Sequence, residues 1–334
     1  MTYVLGWPVV PQVLIRKERW PGGYKTRAIP LVKRGQDVLP DQPVLRLEKA
    51  QPLAEVATIP YLSLSAVKVA LDGSAMNYAT SAAETFPAGL RGRVVDITRR
   101  GGVIIESYAT VVQGVIGAGR QVAGVLTMWQ SSSGGGGHQP VIPPGALLVV
   151  PGPVNFAMLR QAMASGVAGI IASSASSRDL EGFLHVDLAA LLNTIDAELA
   201  QAALPQITIM LTEGLGTMGM PIRTRNLLSH YQGSIALLAG TTSLRQYIYP
   251  ELVISLPLEQ VQRHWQPTQP DSTIEVGVQV RLCGGDYEGA IGVVDYLYTH
   301  QQLFLSGIHA RAVRLHMEDG SLLTVPTTLV ERIS

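Results

Sequence analysis

Val278-Gln279-Val280-Arg281-Leu282-Cys283-Gly284-Gly285-Asp286-Tyr287-Glu288-Gly289-Ala290-Ile291-Gly292-Val293-Val294 holds two apolar runs on either side of a glycine-rich turn. Val278, Val280 and Leu282 alternate with polar residues, the period-two pattern of a half-buried strand. Gly284 and Gly285 turn the chain. Gly289 and Gly292 permit bends and close backbone contact, as a tiny barrel requires. Further strand candidates follow at 290–298, 312–317 and 322–325, and Glu318-Asp319-Gly320 supplies a hairpin turn because glycine accepts positive φ. The region 273–334 therefore reads as a small all-β barrel.

Upstream of a polar stretch at 262–272, which carries Pro267 and Pro270, the period changes. Ala146-Leu147-Leu148-Val149-Val150 is a continuous apolar run that suits a buried parallel strand. Residues 154–165 have helical spacing, with Phe156, Leu159, Ala162 and Met163 on one side and Gly166 as a C-terminal cap. A strand is expected at 167–172, helices at 177–184, 186–203 and 221–230, and further strands at 206–212, 233–239 and 251–256. Strands alternating with helices predict an α/β domain over 140–257 with a mostly parallel sheet.

Ser131-Ser132-Ser133-Gly134-Gly135-Gly136-Gly137, followed by Pro140, Pro143 and Pro144, reads as a flexible seam before that domain. The region before it, 1–130, is β-rich. Residues 32–48 alternate around the turn signals Arg34-Gly35-Gln36-Asp37 and Pro40-Asp41, and Gly92-Arg93-Val94-Val95-Asp96-Ile97-Thr98 begins a second such unit. Residues 109–127 are apolar and punctuated by glycine, with Arg120 their one charge, as in a buried strand pair.

Two of these regions resemble known modules. The 278–294 stretch, with its closing Val325-Pro326-Thr327-Thr328-Leu329-Val330-Glu331, resembles KOW modules of SH3-like fold. That resemblance implies nucleic-acid machinery, but from Gly277 onward four arginines face six acids, and a net-acidic barrel is a poor phosphate binder. Val32-Lys33-Arg34-Gly35-Gln36-Asp37-Val38 and Gly92-Arg93-Val94-Val95-Asp96-Ile97 are similar to the two half-motifs of a biotinyl/lipoyl-type barrel-sandwich hybrid. The methionine-flanked lysine that carries biotin in that family is absent, so a swinging-arm carrier role does not transfer.

Equal numbers of basic and acidic residues, 25 each, leave no global field to draw the chain to nucleic acid or anionic lipid. Residues 1–34 are locally basic, with seven Lys/Arg against Glu18. Cys283 is the only cysteine, which excludes an intramolecular disulfide and suits a reducing compartment. With no signal-peptide layout and no long apolar run, the expectation is a cytoplasmic protein with no membrane span.

Ligands favour the carboxyl ends of strands in open α/β sheets. Residues there include Ser173 and Ser174 after the second expected strand, Glu213, Gly214 and Gly216 after the third, and Thr241 after the fourth. These six are the candidate ligand-binding residues, and hydroxyls and free amides near a helix start suit a small anion. Glu213 is the acid to watch: buried, it could act as a base, and a cap or salt bridge is the plainer role. Gly214-x-Gly216-x-x-Gly219 matches the dinucleotide spacing, but in a late strand-helix turn interrupted by Pro221. No catalytic set, metal site or cofactor is implied. The expected function is a non-enzymatic interaction or scaffold protein acting through protein partners or self-association. A small-anion-binding protein or enzyme on the α/β domain is the alternative, and a nucleic-acid role through the basic segment is the weaker one.

Overall fold

A computed structural model describes residues 9–23, 26–49, 84–129, 142–262, 273–283, 286–287 and 289–332. The seam expected at 131–137, all but Gln262 of the one expected at 262–272, and the Gly284-Gly285 turn lie outside the described residues.

The chain opens with β1 (Val9–Arg19), β2 (Thr26–Pro30), β3 (Asp37–Val38), β4 (Pro43–Lys49), β5 (Glu84–Pro87), β6 (Gly92–Ile97), β7 (Val103–Gln113), β8 (Ile116–Ala118) and β9 (Gln121–Met128). Strands then alternate with helices: β10 (Leu147–Val150), α1 (Phe156–Ala164), β11 (Gly169–Ala175), α2 (Ser177–Leu184), α3 (Leu188–Leu192), α4 (Ala197–Ala202), β12 (Thr208–Leu215), α5 (Ile222–His230), β13 (Ile235–Ala239) and β14 (Glu251–Ser255). Strands return in β15 (Gln279–Leu282), β16 (Ile291–Leu297), β17 (Gln302–Leu303), β18 (His309–Ala310), β19 (Ala312–Met317), β20 (Leu322–Pro326) and β21 (Val330–Arg332).

Eleven strands share one sheet, in the order β3-β6-β7-β14-β13-β9-β10-β11-β12-β8 with β1 added on β7. Its parallel pairs are β9–β10, β10–β11 and β11–β12. β13 runs antiparallel to both β9 and β14, and β8 antiparallel to β12. The expected mostly parallel sheet is thus corrected to a mixed one. The reason is physical: β13 and β14 bury both faces, which erases alternation and makes them read like parallel strands. Direction leaves no mark on periodicity.

The sheet also crosses the seam expected at 131–137. β13 and β14 pair with β9 and β7, so strands from both sides of the seam interleave. Leu237 and Val253 pack in one core with Val94, Val103, Ile105 and Val111. Val44 and Leu45, from the three-stranded sheet β2-β4-β5, complete that core.

Local chemistry sets the helices. Asn155 caps α1 by accepting from the Met158 N–H, and Leu159 and Ala162 are its buried face. Ser176 caps α2 in the same way through Asp179 N–H. The single helix expected over 186–203 is two, α3 and α4. Asn193 ends the first, turning its side-chain amide back onto Ala189 O at 2.8 Å, and Asp196 caps the second.

The last strands form a five-stranded antiparallel sheet, β20-β19-β16-β15-β21, with β17 and β18 as a separate hairpin. Its core is its own: Val280, Leu282, Val294, Val313, Leu315 and Met317. Among the described residues, no helix is long and apolar enough to cross a membrane.

Candidate functional site

Five of the six candidate residues meet at the carboxyl ends of β11 and β12. The pairing there runs Ala172↔Leu211 and then Ser174↔Gly214, so Thr212 and Glu213 together oppose the single residue Ser173. This is a β-bulge, a device that re-aims side chains and is common beside functional sites. Ser173 and Ser174 are fully buried. Ser174 Oγ donates to Met218 O at 2.8 Å, Gly216 N–H donates to Ala175 O at 2.9 Å, and Met220 N–H reaches Pro151 O at 2.8 Å. The 214–220 loop is thereby stitched down over the strand ends. Gly214 (φ +83°) and Gly216 (φ +134°) supply backbone angles that side chains resist.

The Glu213 carboxylate is not open to a ligand on its Oε2 side. Arg281 of β15 pairs with it and also donates to Glu331 Oε2 at 2.7 Å. The Glu213 side chain is 2% exposed against 22% for Arg281, so Glu213 carries the heavier desolvation cost. Burial consequently pushes its carboxyl above the ordinary carboxylate value, with Arg281 opposing the shift. Two groups at this bulge, Ser173 Oγ and Glu213 Oε1, are buried with no hydrogen-bond partner among the described residues. Met218 reaches the connection between β15 and β16, lying where a Cβ on Gly289 (φ +84°) would stand. The C-terminal region thus touches the strand-end bulge at Arg281 and near Gly289.

Thr241 does not join the other five. β13 is antiparallel to β9, so its carboxyl end lies at the amino ends of β9–β12, across the sheet from the bulge. Thr241 Oγ1 donates there to Gly119 O at 3.2 Å. It lines a cleft of about 640 Å³ with Glu18, Trp20, Arg100, Arg120 and Gln201 among its walls. Sequence reasoning missed this site. Its visible trace is Trp20-Pro21-Gly22-Gly23: a Cβ on Gly22 would press on the Trp20 ring at 2.9 Å, and one on Gly23 on the Arg120 guanidinium at 3.1 Å.

Much of the basic N-terminal segment is neutralised internally. Arg16 pairs with Glu106 at 2.6 Å and Lys17 with Glu251 at 2.6 Å. Arg19 is 2% exposed and donates to Pro87 O, Gln121 O and Gln121 Oε1. Burial among these neutral oxygens lowers its guanidinium to about 9, which leaves it a cation at neutral pH. Near the C-terminal ion pair, burial and then the Glu331 carboxylate push the Cys283 thiol up, away from thiolate reactivity.

Comparison of the sequence with known protein families finds no matching family, and comparison with curated proteins finds no significant match.

Proposed function

We propose that this chain is an interaction or scaffold protein that associates through its C-terminal strands, a second copy being the first partner. The observation that carries this reading is the hairpin β17–β18. Among the described residues its strands pair only with each other, Gln302↔Ala310 and Leu303↔His309. Gly307 (φ +80°) closes the loop, with Gly307 N–H donating to Phe304 O at 2.8 Å. At the tip Leu305 is fully exposed, and Leu303 and Ile308 are more than half exposed. Contiguous exposed apolar residues mark contact surfaces, since water solvates them poorly. Zero formal net charge removes the repulsion that keeps copies of a chain apart.

The finer reading of the five C-terminal strands is an SH3-like barrel of KOW type used for docking, and that of the N-terminal strands a barrel-sandwich hybrid without a carrier lysine. The alternating core of β15, β16 and β19 supports the former. The commitment of Ser174 and Glu213 to internal partners favours interaction over strand-end catalysis. Light scattering over a range of concentrations tests the proposal. The expected result is a reversible rise in mass that the double variant Leu305→Ser/Ile308→Ser abolishes. A mass that stays monomeric at every concentration, or a rise that the variant leaves unchanged, counts against it.

A further inference from the structure

The cleft beneath Thr241 presents hydrogen-bond donors without acceptors. Gln201 is 4% exposed; its Oε1 accepts from Gly119 N–H at 2.5 Å, and its Nε2 has no partner among the described residues. Trp20 Nε1 is likewise buried and unpartnered. Unsatisfied buried groups are rare in folded proteins, and each requires an explanation. Both of these donors belong to residues that line the one cleft. Arg120, an exposed residue, lines the mouth of the cleft, and no hydrogen bond or ion pair engages its guanidinium among the described residues.

The acids of the cleft are, by contrast, already engaged. Glu18 accepts from Arg100 Nε at 2.8 Å, Arg100 Nη2 at 2.5 Å and Thr98 Oγ1 at 2.7 Å. Glu198 accepts from Arg100 Nη1 at 2.5 Å, and Asp196 caps α4 through Leu199 N–H at 2.9 Å. Arg100 is further fixed by stacking 4.7 Å from the Trp20 ring centroid. Behind the wall stands Arg19, a buried cation tied to the cleft residue Gln121 with no carboxylate partner among the described residues. Among the described residues the charges balance, Glu18, Asp196 and Glu198 against Arg100, Arg120 and the buried Arg19, so what remains to be satisfied is the N–H donors.

We propose that this cleft binds a small ligand bearing an oxyanion, a carboxylate or phosphate group, held by Arg120 with Trp20 Nε1 and Gln201 Nε2 as neutral donors. An exposed guanidinium at the mouth with two buried N–H groups behind it suits that chemistry, because hydrogen bonds to a charged group are the stronger ones. The site stands at the opposite end of the sheet from the strand-end bulge and does not depend on association through the hairpin.

The test is thermal stabilisation and calorimetric titration of the full chain with inorganic phosphate and with succinate, against sodium chloride at matched ionic strength. The variants are Arg120→Ala, Trp20→Phe, which keeps the ring and deletes the N–H, and the remote control Arg178→Ala. Saturable binding is expected for at least one probe, weakened by at least about 10-fold in Arg120→Ala, weakened less in Trp20→Phe and unchanged in Arg178→Ala. Binding of phosphate alone assigns a phosphate-bearing ligand, and binding of succinate alone a carboxylate. Comparison with Arg120→Ala separates site binding from the general stabilisation that phosphate gives by exclusion. No binding of either probe at about 10 mM, or equal binding by Arg120→Ala whose unliganded melting is unchanged, overturns the proposal.

Discussion

Replacing Arg281 with methionine keeps the aliphatic stem and removes the guanidinium between Glu213 and Glu331. Glu331 is more than a quarter exposed, so water compensates much of its loss. Glu213 is sealed, and its charge would stand alone. Its cheapest escape is to take a proton. From an ordinary value of 4.5, protonation at pH 7 costs about 3.4 kcal/mol, and at pH 5 about 0.7 kcal/mol. Breaking a buried pair costs a similar 3–5 kcal/mol or so. We therefore expect Arg281→Met to lose about 2–4 kcal/mol at pH 7 and about 1 kcal/mol at pH 5. The sign follows from linkage. A carboxyl raised in the fold contributes full stability below its unfolded value and loses that contribution as pH rises through its folded value. Removing Arg281 raises the folded value further, so the deficit grows towards neutral pH. Urea unfolding of both proteins at the two pH values measures it. A difference under about 0.5 kcal/mol at pH 7, or one that does not change with pH, would refute the reasoning.

Ser173→Ala removes a buried hydroxyl that has no partner, so stability should hold or rise by up to about 1 kcal/mol in urea unfolding; a clear loss would show that the hydroxyl is engaged. Gly289→Ala adds a side chain at φ +84° against Met218 and should cost about 1–3 kcal/mol, part of it recovered by Met218→Ala in the same assay. Asn155→Ala deletes the cap of α1 and should lower stability by about 1 kcal/mol, whereas Asn155→Asp should retain most of it.

What could be read in the sequence was what periodicity and caps encode. The α2 helix matches its expected span of 177–184, because Ser176 opens it and His185 leaves it at φ +56°. The expected helix over 186–203 ran past Asn193 because Ala, Leu and Ile continue the apolar pattern on both sides. Thr241 was misplaced for a different reason: the carboxyl-end rule assumes parallel strands, and a buried run carries no direction. Glu213 stood out as an acid among glycines, and a salt bridge was its plainer role. Its partner Arg281 lies 68 residues away on a strand whose own pattern explains only Val280 and Leu282. The cleft is assembled from β1 and the residues after it, the turn after β6, the start of β9, α4 with the residues before it, and the end of β13 with the loop after it, and no local motif joins these five segments.

Hydrogen exchange of the intact chain at low and high protein concentration tests association through the β17–β18 hairpin most directly. The account predicts that amides of 303–308 exchange more slowly at high concentration, with the strand-end residues 213–216 unaffected. Equal exchange across 303–308 at both concentrations, under conditions where mass rises, would place the contact elsewhere and contradict it.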